Sequence, residues 1–432
     1  MKKILALLVT LVLTSPAFAQ VDEITIWWAE WDPANYLQQI GNDYEAATGI
    51  KVNVVQEPWG SFLNKVSAEW AAQGSGFDMV VGDSQWLGQA VTEGHYVDMT
   101  DFLTSTGIKD TVTEATLRYY AEYDGRLYAY PTEGDANGWA YRKDLFENPD
   151  EMAAFQERYG YELAVPQTWA QLRDIAEFFT RPDEGLYGNA IYTQVDYDGI
   201  TMGFQNVFFS YGADWADETN NVLGVVNSPE AVAALELYKE LYSFAPPGLN
   251  NAFFAESNDA FINGQVAMAM NYFAFFPALA NPEINPHAEN TGYFAMPAGP
   301  DGERYAALGG QGISINSYID DTRKQAAYDF IEWFAQEDIQ LRWAQLGGYT
   351  CNTNVLSSPE FLEVAPFNAA FAETMTFVKD FWNIPVYGQL LEPVQRNVHN
   401  FVVGGQGTAQ EAMDNIANEH DEVLVEAGVI NE

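Results

Sequence analysis

Cysteine is nearly absent. Cys351 is the only one in 432 residues, so no disulfide can form within the chain and stability has to come from burial. Positive charge is scarce too: 19 Lys and Arg stand against 61 Asp and Glu, a formal charge of −42. So acidic a surface repels nucleic acid and anionic lipid, and it weighs against strongly anionic ligands. A solvated acidic coat with no bearing on the ligand accounts for the same composition. Long apolar runs are also missing. The longest, Ile4 to Leu13, is too short to span a bilayer.

The signatures of common catalytic and metal sites do not occur. His95, His287, His399 and His420 are scattered, and there is no H-E-x-x-H, G-x-S-x-G, G-x-G-x-x-G or Walker pattern. With 61 acids some carboxylate pair arises by chance, so pairing is no sign of a glycosidase. Asp196-Tyr197-Asp198-Gly199 and Asp214 to Glu218 match a Ca²⁺ loop only in part and read better as solvated loops. The expectation is a non-enzyme without metal or cofactor. Cys351 reads as a small buried hydrophobe near a lobe junction.

What is present is material for large cores: 48% of residues are hydrophobic and 15% aromatic. The length exceeds one ordinary core, so two lobes are expected rather than one. Residues 1–19 have the form of a secretory signal, with Lys2 and Lys3, the apolar run, and Ala17-Phe18-Ala19 as a small-x-small cleavage site. Loss of the two lysines takes −42 to −44. No cysteine follows the signal, so the expected mature chain carries no lipid anchor and works in the periplasm, as a monomer.

The stretch Ile24–Tyr36, ITIWWAEWDPANY, organises the rest. A short β run ends in a loop with Trp28, Glu30, Trp31 and Asp32, and Pro33 suits the first turn of a helix. Ligands of open α/β sheets sit beyond the carboxyl ends of the strands, so these rings read as the start of a cleft wall. Further strands, Lys51 to Val55 and Asp78 to Val81, end in loops with Trp59 and with Asp83-Ser84-Gln85-Trp86. Alternating strands and helices imply parallel pairing. Asp124-Gly125 reads as a hairpin turn, and Pro131 to Gly138 has the composition of a crossing between lobes. Later come a helix from Phe204 with a loop presenting Trp215, a strand ending at Asn271 and Tyr272, and a glycine bend at 309–312. The tail from Ala365 reads as helical and lies against the second lobe.

In this order the blocks ITIWWAEWDP, KVNVVQEPWGSF, GFDMVVGDSQWLG, YDGRLYAYPTEGDANGWAYRKDLF, FINGQVAMAMNYFAFF and AAYDFIEWFAQEDIQ resemble the extracellular solute-binding proteins of ABC importers, in the sugar-binding group related to maltose-binding protein. The likeness covers nearly the whole mature chain. It implies the type II periplasmic-binding fold, α/β, with two lobes and central mixed sheets joined by a hinge. The lobes then comprise 20–131 with 305–355, and 132–304 with 356–432. It also implies a mono- or oligosaccharide ligand, closure around it, and delivery to membrane permease subunits.

A sugar offers an apolar C–H face and a rim of hydroxyls. Trp28, Trp31, Trp59, Trp86, Trp215, Tyr272 and Phe276 are candidates for the face, and Glu30, Asp83, Gln85, Asp135, Asn137, Asn271 and Gln311 for the hydroxyls. Gly309, Gly310 and Gly312 let backbone N–H groups approach closely. Each has a plainer reading: a core ring, a helix cap at Asp83, a turn at Asp135 and Asn137, a hinge at the glycines. Trp70, Trp139, Trp333 and Trp343 read as core. The alternatives are a polyol, a compatible solute held in a cation–π cage, a sugar acid needing Arg142 or Arg396, and an exported glycan-active enzyme.

Overall fold

The computed structural model describes residues 21–195, 199–381 and 383–431. The signal segment and Asp196-Tyr197-Asp198 lie outside them. Along the chain run strands β1 (Glu23–Ala29), β2 (Lys51–Glu57), β3 (Met79–Asp83), β4 (Tyr130–Glu133), β5 (Asn137–Arg142), β6 (Tyr187–Ala190), β7 (Val266–Tyr272), β8 (Thr291–Phe294) and β9 (Gln311–Ile315). They form a five-stranded sheet, β2-β1-β3-β9-β4, and a four-stranded sheet, β8-β5-β7-β6. The chain crosses from the first to the second between Glu133 and Asn137 and returns before Gln311.

Strands β1, β2 and β3 pair in parallel, as the strand–helix alternation predicts. The sheet is nevertheless mixed. The returning β9 enters from the far side and lies antiparallel to both β3 and β4. Its first residue, Gln311, therefore faces Asp83 and Glu133, and the tips of β1, β2 and β3 share one rim with the start of β9.

Local chemistry explains the elements. In β1, Ile24, Ile26 and Trp28 are buried on one face, and Trp27 is covered from the other by Phe77 (centroids 4.8 Å apart). Helix α1 (Asp32–Thr48) has Pro33 in its first turn and stops at Gly49, whose φ of 82° favours a residue without Cβ. Gly41 lets α1 press on β2, since a Cβ there would come within 2.7 Å of Val52. The hairpin at Asp124-Gly125 is present, with Glu122 and Tyr123 paired to Leu127 and Arg126 and positive φ at both turn residues.

Helix α2 (Trp59–Ala71) follows β2. In the second half, α3 (Gly199–Ser210) is wholly buried, and α4 (Pro229–Ser243) is capped by the Ser228 hydroxyl as its sequence predicts. Helices α5 (Asp321–Phe334) and α6 (Glu337–Leu346) return to the first sheet's side, α6 packing on α1. Helices α7 (Tyr387–Val402) and α8 (Ala409–Glu426) pack on α3 and α4, so the tail covers the second sheet's layer.

One ion pair ties the two ends of the first half together. Asp78, buried just before β3, accepts from the Thr25 N–H (2.7 Å) and from Nε and Nη2 of Arg323 in α5 (2.5 Å each). Replacing Arg323 by Ala leaves that carboxylate buried with one donor. The expected loss is about 2–3 kcal/mol in urea unfolding, against near neutrality for an exposed pair such as Lys51–Glu23.

Candidate functional site

Between the rims of the two sheets lies a cavity of about 800 Å³. Trp31, Asp32 and Tyr36 enter it from the start of α1, and Gly347, Gly348 and Tyr349 from the turn after α6. Ala274, Phe275 and Pro277 come from the turn after β7, and the segment Phe361 to Asn368 closes a further side. Rings thus reach it from both halves of the molecule. Among the described residues Asp32 is the only charged one in the lining. Such walls suit a molecule with apolar faces and polar edges.

Trp31 is the candidate ring that the structure places there. It is half-buried, set edge-on between Trp28 (5.6 Å, 84°) and Trp59 (5.5 Å, 78°), and its indole N–H has no partner among the described residues. Trp28 is not a wall but the buttress behind it. That ring is fully buried, lies 6.3 Å from Trp343, and donates its N–H to Oε1 of Gln311. Gln311 is therefore engaged inside the first half. Trp59 stands behind Trp31 and against Phe62.

None of the other candidates lines the cavity. Glu30 is exposed, and its N–H goes to Glu57 O (2.8 Å). Asp83 and Gln85 are buried at the tip of β3, where Ser84 between them donates to Asp380 (2.6 Å) and Gly88 packs on the Asn383 carbonyl. The Asp83 side chain does not cap the turn that follows it. Asn271 is structural: Oδ1 accepts from Tyr192 (2.6 Å), and Nδ2 donates to Phe254 O and Asn258 (2.8 Å each). Asn137 accepts from Asn206 (2.9 Å) and keeps an unpartnered buried NH₂ among the described residues.

Tyr272 is buried against Gly309, where an added Cβ would lie 2.5 Å from its ring. Gly310 is glycine for a steric reason within the protein. A Cβ there would sit 1.7 Å from the Tyr120 hydroxyl and 2.4 Å from Glu133 O, so it does not make room for a ligand. Phe276 and Trp86 are buried as well, against Phe273 (5.1 Å) and Phe62 (5.4 Å). Trp70, Trp139 and Trp343 are core rings, as their mid-element positions predict.

Trp215 needs the plainest correction. It is 1% exposed, stacked on Phe208 (4.2 Å, 26°) beneath α8 and tilted against Phe381 (4.9 Å), with Nε1 3.4 Å from Gln205 Oε1. The loop after α3 folds the ring inward because three phenylalanines of that helix, Phe204, Phe208 and Phe209, offer it a surface. Reading composition alone missed Asp32, Tyr36, Tyr349 and Phe275, although Asp32 adjoins Trp31 and Phe275 belongs to the aromatic run after Asn271. Nothing in the pattern of 361–368 marks it as a wall. Accordingly Trp215→Ala should cost about 3–5 kcal/mol of stability in denaturant titration, as for a buried indole.

The crossing beside the cavity holds two buried carboxyls. Glu133 accepts from the Tyr349 N–H (3.2 Å), and its other oxygen has no partner among the described residues. Burial, and then the neighbouring Asp135, push its pKa far up, which keeps it neutral. Burial also raises Asp135 to about 8, against the lowering effect of N–H bonds from Ala136 (2.9 Å) and Ala274 (3.2 Å). Cys351 lies against the same segment, its thiol pushed up chiefly by burial.

An unfolded Asp titrates near 4, so the folded value is the higher one. The stability from neutral Asp135 is complete below about pH 4 and is lost as pH rises through about 8. Asn at 135 keeps the acceptor for both N–H groups but cannot ionise. Between pH 5 and pH 9, wild type should therefore lose several kcal/mol relative to Asp135→Asn in paired urea titrations.

The model of the family described as bacterial extracellular solute-binding protein matches residues 29–341. A probable ABC transporter-binding protein of Deinococcus radiodurans is 25% identical over 337 residues, 76% of each chain. The maltose-bound T. maritima MalE3 superposes with a TM-score of 0.77 at 25% identity, covering 93% of this chain and 100% of that one. A solute-binding protein of Agrobacterium radiobacter in complex with ribitol gives 0.77 at 24%, covering 94% and 99%. With about three-quarters of its length inside the family match, the chain belongs to the bacterial extracellular solute-binding proteins.

Proposed function

We propose that this protein is the carbohydrate-binding component of an ABC importer. It is exported through a cleaved signal without a lipid anchor, works as a monomer in the periplasm, and delivers its ligand to the permease. The lobes in this reading are 20–131 with 305–355, and 132–304 with 356–432. The observation that carries it is the ring-lined cavity between the sheets, with Trp31 and Tyr36 on one side and Phe275 on the other. A sugar bridging both halves binds the closed arrangement better and shifts the population toward it. Trp31 and Tyr36 cover a sugar face while Asp32 meets hydroxyls. The reading is of binding without chemistry.

The maltose and ribitol complexes of the similar structures support sugars and polyols alike. A thermal-shift panel of mono- and oligosaccharides, polyols and betaines separates them, because a bound ligand raises the melting temperature by mass action. Trp31→Ala should weaken the best ligand at least tenfold by calorimetry with the fold intact. An unchanged affinity would remove Trp31 from the site.

A further inference from the structure

We infer that the cavity selects uncharged chains of at least two sugar units and turns away their carboxylated counterparts, with Asp32 setting the charge preference. The inference rests on the carbohydrate reading and adds length and charge to it. Length follows from size. Pockets for drug-sized ligands span roughly 300–1,000 Å³. At about 800 Å³ this one stands near the top of that range, and a single hexose, smaller than most drugs, would leave much of it to water. The rings that are only partly buried also come from two sides, Trp31 and Tyr36 at α1 and Phe275 after β7, which matches more than one sugar face.

Charge follows from where the cations are. A carboxylate moved from water into a partly closed cavity needs a cation or several N–H donors. Among the described residues no Lys, Arg or His lines this cavity. The arginines a sugar acid would call on are engaged elsewhere. Arg142 holds Asp144 through two bonds (2.7 and 2.6 Å), and Arg396 holds Glu392 (2.8 Å) and Glu419 (2.5 Å). Lys379 is likewise paired, to Asp214 (2.7 Å) over the Phe209 ring. The charge that is present has the wrong sign for an anion: the Asp32 carboxylate in the lining. Toward hydroxyls the same carboxylate is a strong acceptor. A neutral sugar gains from Asp32, whereas an acidic sugar is repelled by it.

The test uses the mature chain with malto-, cello- and xylo-oligosaccharides of up to four units, their monosaccharides, and C6-oxidised forms of the malto and cello series, first by thermal shift and then by calorimetry. A neutral oligosaccharide should bind most tightly, its monosaccharide and its C6-oxidised form at least tenfold more weakly. Asp32→Lys should narrow the gap between neutral and oxidised forms at least threefold, and Asp32→Asn by less. Asp32 is exposed, and an unchanged melting temperature of the free variants checks their folding. An oxidised sugar that binds as well as its neutral parent overturns the charge preference, and a monosaccharide equal to its tetramer overturns the length. A gap unmoved by Asp32→Lys overturns the role of Asp32. In these three cases carbohydrate binding stands. If no sugar of either charge binds, the carbohydrate reading itself falls, and this inference with it.

Discussion

The segment from Glu133 to Asn137 passes from one sheet to the other fully buried, and the seam is built around satisfying it. Gly134 donates to Tyr349 O (2.6 Å), Gly309 donates to Asp135 O (3.0 Å), and Tyr120 reaches the same carbonyl (3.3 Å). A buried backbone group left alone costs as much as a lost hydrogen bond, so these partners cannot be traded freely. Their demands explain neighbours that look unrelated in sequence. Gly310 must be bare to admit Tyr120, and Tyr349 must present both its N–H and its hydroxyl, the latter to Phe273 O (2.8 Å). Two carboxyls on this segment stay neutral because ionising either one in such a place is costly.

From that seam a line of indoles runs outward: Trp343, Trp28, Trp31 and Trp59, at centroid spacings of 6.3, 5.6 and 5.5 Å. Its inner end is core, and Trp31 is the ring that faces the cavity. The arrangement gives Trp31 a fixed orientation, because the rings on either side hold it edge-on and the inner one is itself anchored to Gln311. A binding ring whose orientation is set by its neighbours loses little freedom when a ligand arrives. The concentration of tryptophan at the first strand tip thus has two physical causes, packing and access, divided among residues only three positions apart.

Much of this was legible from residue pattern. Alternation and turn chemistry placed β1, β2 and β7, the Ser228 cap, the Asp124-Gly125 hairpin and the crossing near Glu133, because each depends on forces acting within a few residues. The candidate site was legible only as a region. The strand tips and the glycine bend do converge on one seam, as the strand–helix alternation requires, but which side chain faces inward does not follow from position along the strand. Asn271 has the chemistry of a sugar ligand and is consumed by Tyr192, Phe254 and Asn258. Trp215 has the look of a loop ring and is captured by the phenylalanines of α3.

By itself the sequence determined the class of molecule, the segments that become strands and helices, and the acidic, disulfide-free character that leaves burial as the stabilising force. Those follow from composition and short-range periodicity. Tertiary structure alone decided which of the many aromatic and amide side chains line the cavity, that the 361–368 segment closes it, and that two acids at the crossing are uncharged. The physical reason is that burial and hydrogen-bond competition are set by partners up to hundreds of residues away, as Trp28 with Gln311 shows, and no local pattern encodes them.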